Sequence, residues 1–569
     1  MLDALIRQSH DTEPGFTRKT VKWAIALTQD GRFTGVIPLG EGKGRTFERC
    51  PNLSQPELVG GGESRSHFLV EGLPTVALLW KEDLSDADQE KFRAKHKYFC
   101  DLIARASEHV SYLEPVAKLL ADEPSLAEIR TQLGQQKAKP TETATVLIDG
   151  INPLERDDWH EWWREFRQSL RPANNDSRKM RCFATGEMVV PVATQPKIKG
   201  LAGVGGLGTG DSLASFDKQA FQSYGLEQSA NSAMSEDAAT AYSEALNALI
   251  ADKSVKLGNA LSVYWFLEAV EPYDDQFSWL KEPLASTQAD AELRAQRLLT
   301  AIRTGQRADL SGNRYYALQV SGAAGRVMVR EIMEGSFEDL AQNVARWFAD
   351  FAIVARDGRE TAPPPKFMAV AGALVRELKD LPMPWLQQLW RAAVTGTPLP
   401  KVSLAQALSR ARIDIITNQS ASHARMGLIK AFHVRKGDQH MQAYVNPEHP
   451  SPAYHCGRLL AVLARLQHAA LGDVGAGVVQ RYYTATSQTP GLVLGRLAAN
   501  AKNHLNKLEG GLSHWYENQI ADVLSRVRDN VPRTLTLEQQ SLFALGYYQQ
   551  LAALNAGKKG DTNNDTPNT

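Results

Sequence analysis

Cysteine is scarce in this chain of 569 residues: Cys50, Cys100, Cys182 and Cys456 are its four, and none falls in a C-x-x-C pair. That spacing argues against a compact zinc site and against a secreted disulfide framework, so reduced, mostly buried thiols are expected. Long apolar runs are missing too. No stretch approaches the roughly 18–20 apolar residues of a membrane span. The start, MLDALIRQSHDTEPGF, has no apolar core or cleavage site, so no secretory leader and a cytoplasmic location are expected. Net charge is absent: 64 Lys+Arg balance 64 Asp+Glu, which argues against a surface coated throughout in cations but leaves local patches open. Absent as well are G-x-x-x-x-G-K-[ST], H-E-x-x-H, G-x-S-x-G and EF-hand patterns. The 13 histidines are not paired at metal-ligand spacing, and Asp157-Asp158 and Glu236-Asp237 sit at helix starts, where the helix dipole accounts for them. Nothing points to an enzyme, and no cofactor or metal is expected.

What is present is ordinary globular material, with 43% hydrophobic and 22% charged residues. The length suits about three or four domains or subdomains. Strands are expected first: Val21, Trp23, Ile25 and Leu27 alternate with Lys22, Ala24 and Ala26, and Asp30-Gly31 signals a hairpin before 33–39. Gly40–Arg45 reads as a basic turn and Pro51–Ser66 as a long loop. From Asp83 to about Leu133 the pattern is helical, with interruptions at Pro115 and Pro124. Thr145–Ile148 reads as a strand, followed by an aromatic helix around Trp159, Trp162, Trp163 and Phe166. Ser235 is an N-cap for a helix whose apolar positions run from Ala238 to Leu249. More strands are expected at 189–192, 263–267, 315–320 and 327–329. From Phe337 onward the chain reads as helix, with amphipathic stretches at 459–471, 492–508, 514–527 and 537–554 and a capping box at Thr536 and Gln539. The fold class expected is therefore α+β. A mixed α/β region with small antiparallel sheets spans 1–335, a helical connection 336–400, a helical bundle 401–557 and a disordered tail 558–569.

Two regions carry local positive charge. Residues 164–199 hold eight cations (Arg164, Arg167, Arg171, Arg178, Lys179, Arg181, Lys197, Lys199) against three anions. They lead into a tract with six glycines, including Gly203, Gly205, Gly206 and Gly208, next to Ser212. Such a loop lets backbone approach a phosphate or a groove floor, although a surface loop with no ligand has the same composition. Gly203–Gly208 satisfies G-x-G-x-x-G, but no βαβ unit follows, so it is a poor dinucleotide fingerprint. Residues 401–470 hold nine cations and three anions. Arg458 and Arg465 lie seven apart on one helix face, and Arg481 with Tyr482 and Tyr483, then Arg496, Lys502 and Lys507, interleave charge with rings. That mixture suits a single nucleic-acid strand, and equally a solvated basic helix face.

The stretch 182–250, with PKIKG and SFDKQAFQSYGLEQSAN, resembles the large subunit of the type I-C CRISPR Cascade complex. So do VKWAIALTQDGRFTGVIPL, 314–348, 454–472, 481–497 and the FALGYYQQ segment, in colinear order over nearly the whole chain. It departs in the length of the 51–66 loop and in the GVGGLGTG core, where relatives carry more serine. The resemblance implies a non-catalytic subunit beside the 5′ handle of the guide RNA (crRNA). Such a subunit reads a short protospacer-adjacent motif on double-stranded DNA, starts duplex opening, holds the displaced strand and docks the helicase–nuclease. Implied partners are crRNA, target double-stranded DNA, the repeated backbone subunit, the 5′-handle-binding subunit, small subunits and the helicase–nuclease, with no membrane. The motif-reading loop would comprise Lys197, Lys199, Gly203, Gly205, Gly206, Gly208, Ser212, Gln228 and Asn231. The displaced strand would meet Arg458, Arg465, Arg481, Tyr482, Lys502 and Lys507. Two other readings are a general RNA or single-strand scaffold of another ribonucleoprotein and a metal nuclease with dispersed ligands.

Overall fold

The computed structural model describes residues 1–9, 12–170, 179–283, 288–417 and 422–556. Arg171, Arg178 and the 558–569 tail lie outside the described residues. The fold is α+β, with small sheets in the N-terminal half and helices in the C-terminal region. The chain forms two compact units, Met1–Ser254 with Val320–Val329, and Val255–Gln319 with Arg330–Thr569.

In the first unit, β1 (Phe16–Val21) pairs antiparallel with β4 (Arg45–Pro51). β2 (Trp23–Leu27) and β3 (Phe33–Pro38) form the expected hairpin across Asp30-Gly31. Val21 thus belongs to a different strand from Trp23. β5 (Glu71–Gly72) and β6 (Thr143–Ile148) complete a four-stranded sheet in the order β3-β2-β6-β5. This sheet is not purely antiparallel as expected: β2 runs parallel to β6, from Trp23 opposite Ala144 to Leu27 opposite Ile148. Parallel neighbours need a long crossover, and its three longest helices are Asp86–Ser107, Glu114–Ala121 and Glu123–Gln135. Pro115 and Pro124 sit in first turns, where a missing N–H costs nothing. All five residues of β2 are buried, the signature of a strand covered on both faces. Trp159 and Trp163 close this core, their indole N–H groups donating to Pro153 O at 2.8 Å and Gly15 O at 2.7 Å.

Beyond it come β7 (Met180–Arg181) and β8 (Met188–Val189), a short hairpin, then β9 (Lys197–Ile198) and β10 (Asp211–Ser212), antiparallel around the glycine tract. The 189–192 strand is therefore shorter than expected. Ser235 accepts from Ala238 N and caps the helix Glu236–Asp252, as expected.

β11 (Ser254–Leu257), β12 (Ala260–Phe266), β13 (Arg314–Ala323) and β14 (Arg326–Ser336) are consecutive in sheet order, with the stretch Val320–Val329 of the last two counted in the first unit and most of the rest in the second. The helices of the second unit enclose two cores. One gathers Trp347, Phe367, Trp390 and Met426; the other gathers Leu460, Tyr483, Leu494 and Val523. The helix Leu537–Ala556 feeds both, through Tyr548 on one side and Phe543 and Tyr547 on the other. Residues 541–550 are all buried, so this helix is central rather than amphipathic. It crosses Pro452–Leu471 closely, because a Cβ on Gly457 would strike Phe543 O and one on Gly546 would strike Tyr454 O. Thr536 N donates to Gln539 Oε1 at 2.9 Å and Gln539 N to Thr536 Oγ1 at 3.3 Å, the expected capping box. Among the described residues all four cysteines are free; burial pushes the Cys50 thiol up to about 11 and the Cys456 thiol up to about 12.

Candidate nucleic-acid interface

In the first unit the glycine tract is an excursion pinned at both ends. Lys197 stands opposite Ser212 and Ile198 opposite Asp211 across β9 and β10, and Ser212 stands opposite Arg326 in β14. Asp211 is fully buried and its carboxylate accepts Leu207 N–H at 3.2 Å from both oxygens. Two of the candidate glycines are there to let backbones touch. A Cβ on Gly205, at φ +91°, would lie 2.8 Å from Gly322 O, and one on Gly206 would collide with Leu201 and Asp211. A Cβ on Gly208 would meet open space, and Gly203 and Gly208 are exposed. The part of the tract free to approach a ligand is thus around those two positions, not the whole run.

Lys197 and Lys199 are both exposed. Their backbones are held by Asn247 on the Glu236–Asp252 helix, whose side chain accepts Lys199 N–H at 2.7 Å. Lys199 also makes Lys19 and His67 harder to protonate. Burial pulls the Lys19 ammonium down to about 8, Glu71 opposes this, and Lys199 adds to the drop. Burial likewise holds the His67 imidazole well below its ordinary range, helped by Lys19 and Lys199. Lys199 therefore keeps its own charge at the surface while its buried neighbours give theirs up more readily.

Of the other described cations of 164–199, Lys179 and Arg181 are exposed and two are held by carboxylates. Arg164 bonds Glu13, and Arg167, 5% exposed, is held by Glu57 at 2.9 Å and Glu236 at 2.6 Å. Gln228 is exposed at φ +43°, but Asn231 is committed to its own loop, accepting from Ser223 N and donating to Leu226 O and Gln228 O. A direct hydrogen bond from the Asn231 amide to a base is not what its geometry supplies.

In the second unit the basic 401–470 segment turns inward. Arg425, Lys430, Arg435 and Arg458 are buried, against the solvated placement expected for Arg458. The Arg458 guanidinium donates to Gln550 Oε1 at 2.8 Å and His455 Nδ1 at 3.1 Å and pairs with Asp522 at 3.2 Å. Residues seven apart share a face only approximately, and the nearby helix Leu537–Ala556 covers Arg458 while leaving Arg465 half-buried. Tyr483 is also core, edge-on to Phe543 and Tyr547.

The outward charge lies just beyond. Residues 474–508 contain no Asp or Glu, and Arg481, Arg496 and Lys502 are exposed on the helices Val478–Gln488 and Pro490–Leu505, with exposed Lys507 just past the end of the second. None of the four pairs with a carboxylate among the described residues. Arg496 sits 6.0 Å from the ring centre of half-buried Tyr482. Sequence reasoning missed Arg533. It is brought here because Gly491 N donates to Pro532 O at 3.1 Å and Leu535 N to Gln488 O at 2.8 Å, which lays that loop on the junction of the two helices. No local spacing signals this, since the loop follows a separate helix.

Among the described residues no group of three or more His, Cys, Asp or Glu is placed to hold a metal, and no helix is long and apolar enough to cross a membrane. No curated protein matches the chain. Residues 3–555, however, match the family of CRISPR-associated protein Cas_Csd1. The protein belongs to the Csd1 family of CRISPR-associated proteins, as a Cascade large subunit acting with other Cas proteins.

Proposed function

We propose that this subunit works in a type I-C complex, beside the 5′ handle of the crRNA. There it recognises the protospacer-adjacent motif in double-stranded DNA, nucleates duplex opening and R-loop formation, steadies the displaced strand and recruits the helicase–nuclease, without cutting DNA itself. The observation that carries this reading is the acid-free segment 474–508, whose cations are exposed with no carboxylate partner among the described residues. A strand of phosphates meets charge there without a competing carboxylate, and half-buried Tyr482 lies beside Arg496. On the first unit, exposed Lys197 and Lys199 beside open Gly208 suit a groove edge. In RNA-guided recognition base pairing reads most of the sequence, so a protein needs backbone affinity and a small reading head.

The test is binding of the assembled crRNA complex to a duplex library with randomised flanking motifs. A motif preference that Lys197→Ala with Lys199→Ala weakens at matched salt, without loss of assembly, supports the reading. Unchanged affinity counts against the loop assignment. The same helix pair would serve a general single-strand scaffold, and absence of any duplex motif preference selects that alternative. A cleavage assay with and without Mg²⁺ checks the non-catalytic role; metal-dependent cutting by the purified chain would overturn it.

A further inference from the structure

The loop 223–228 of the first unit holds an aromatic residue in an unusual way. Tyr224 is 97% exposed and its backbone is left-handed, at φ +54°. A non-glycine residue there strains the chain, and a ring left in water recovers nothing by burial. Glycine or asparagine at position 224 would fold more easily, so folding does not explain the tyrosine.

The loop is nonetheless tightly organised. The Asn231 carbonyl oxygen accepts Ser223 N–H at 3.1 Å, and its amide donates to Leu226 O at 2.9 Å and Gln228 O at 3.1 Å. Leu226 N donates to Ser223 O at 2.9 Å, closing the turn. The base of the loop is anchored in turn, since Ser229 N donates to Ala193 O at 3.3 Å. Gln195 there donates to Ser232 and accepts from the buried Tyr242 hydroxyl at 2.6 Å. A rigid support thus holds a bare ring outward. Nearby charge is mostly neutralised: Asp217 is paired with Arg326, whose guanidinium also lies 4.7 Å from the Phe221 ring. Glu227 and Lys218 are exposed and oppose each other in sign.

We propose that Tyr224 is a stacking contact for an unpaired DNA base, and that Asn231 is the residue that positions it. An aromatic face stacks on any base, and stacking is the gain that would repay both the strain and the exposure. This inference rests on the DNA-binding reading above. Asn231 then contributes to binding through Tyr224 and not by contacting DNA, as its fully committed amide requires.

The test uses the full-length chain and DNA carrying 5-iodo-2′-deoxyuridine at successive positions, irradiated and mapped by peptide mass spectrometry. An adduct on Tyr224 is expected, retained in Tyr224→Phe and reduced at least tenfold in Tyr224→Ala, a surface change that does not threaten folding. Asn231→Ala is expected to cut the Tyr224 adduct severalfold with an unchanged thermal melt. An unchanged yield in Asn231→Ala overturns the positioning role. Adducts confined to other residues, on DNA that still binds, overturn the stacking role and leave the DNA reading standing. Failure of the wild-type chain to bind DNA at all overturns both.

Discussion

Residues 401–470 and 474–508 are neighbours in the chain, both rich in cations and both helical, yet they use their charge differently. In the first segment Lys430 donates to Ala349 O and Asp350 O, and Arg435 reaches Asp350, Ala392 O and Thr397 O, all inside the unit. Arg425 bonds Asp414 and Ala373 O. In the second segment the cations are exposed and, among the described residues, none meets a carboxylate. Local net charge was larger in the first segment and the free surface charge lies in the second. What separates them is the supply of internal acceptors: exposed helix-end carbonyls and a few acids draw long cationic side chains inward.

The most severe way to probe this contrast is to remove a buried cation. Arg435→Ala leaves Asp350 buried, where burial already raises its pKa against the pull of Arg435, and is expected to cost about 3–5 kcal/mol. Urea denaturation measures it, and a variant as stable as wild type would erase the distinction between the segments.

Acid gives a milder perturbation of the same interior. Burial pulls His433 and His455 down to about 4, so both are neutral in the fold. The unfolded chain binds their protons more readily, so their contribution is complete above about pH 6.5 and is lost as pH falls toward 4. The urea midpoint is expected to fall through that window, and less steeply in His433→Gln. A flat midpoint from pH 6.5 to 4 would contradict the neutral buried state.

The exposed segment should answer to salt and not to denaturant. Replacing Arg481, Arg496, Lys502 and Lys507 together by Gln is expected to move stability by no more than about 0.5 kcal/mol. The slope of log affinity against log salt for single-stranded DNA should fall by about 0.7 per lost phosphate contact. An unchanged slope would mean that these cations touch no phosphate. Arg533→Gln is the smallest case, one contact at most, with a slope change of about 0.7 that shows whether the adjoining loop belongs to the surface.

Much of the fold was legible because local signals sufficed. Asp30-Gly31, the Ser235 cap, the Thr536 and Gln539 box, and the prolines at 115 and 124 act within a few residues of themselves. The parallel pairing of β2 with β6 was not legible, because more than a hundred residues with several helices separate the partners. At the site, Lys197, Lys199, Arg481, Lys502 and Lys507 stand exposed where charge patterning placed them. Arg458 and Asn231 carry the same residue types but are claimed by partners that no spacing rule reveals. Gly205 and Gly206 belong with these. The tract suggested a ligand, but the nearest backbone is Gly322, more than a hundred positions away.

The sequence by itself determined the α+β class, the positions of most helices and strands, the free cysteines and the likeness to the family that the comparison then showed. These follow from periodicity, capping and colinear motifs, which are properties of short stretches. Only the tertiary structure decided which cations face solvent, which glycines serve packing, and that Tyr224 stands bare on a braced loop. Those depend on which remote donors and acceptors meet, and a buried polar group takes whatever partner the fold brings to it.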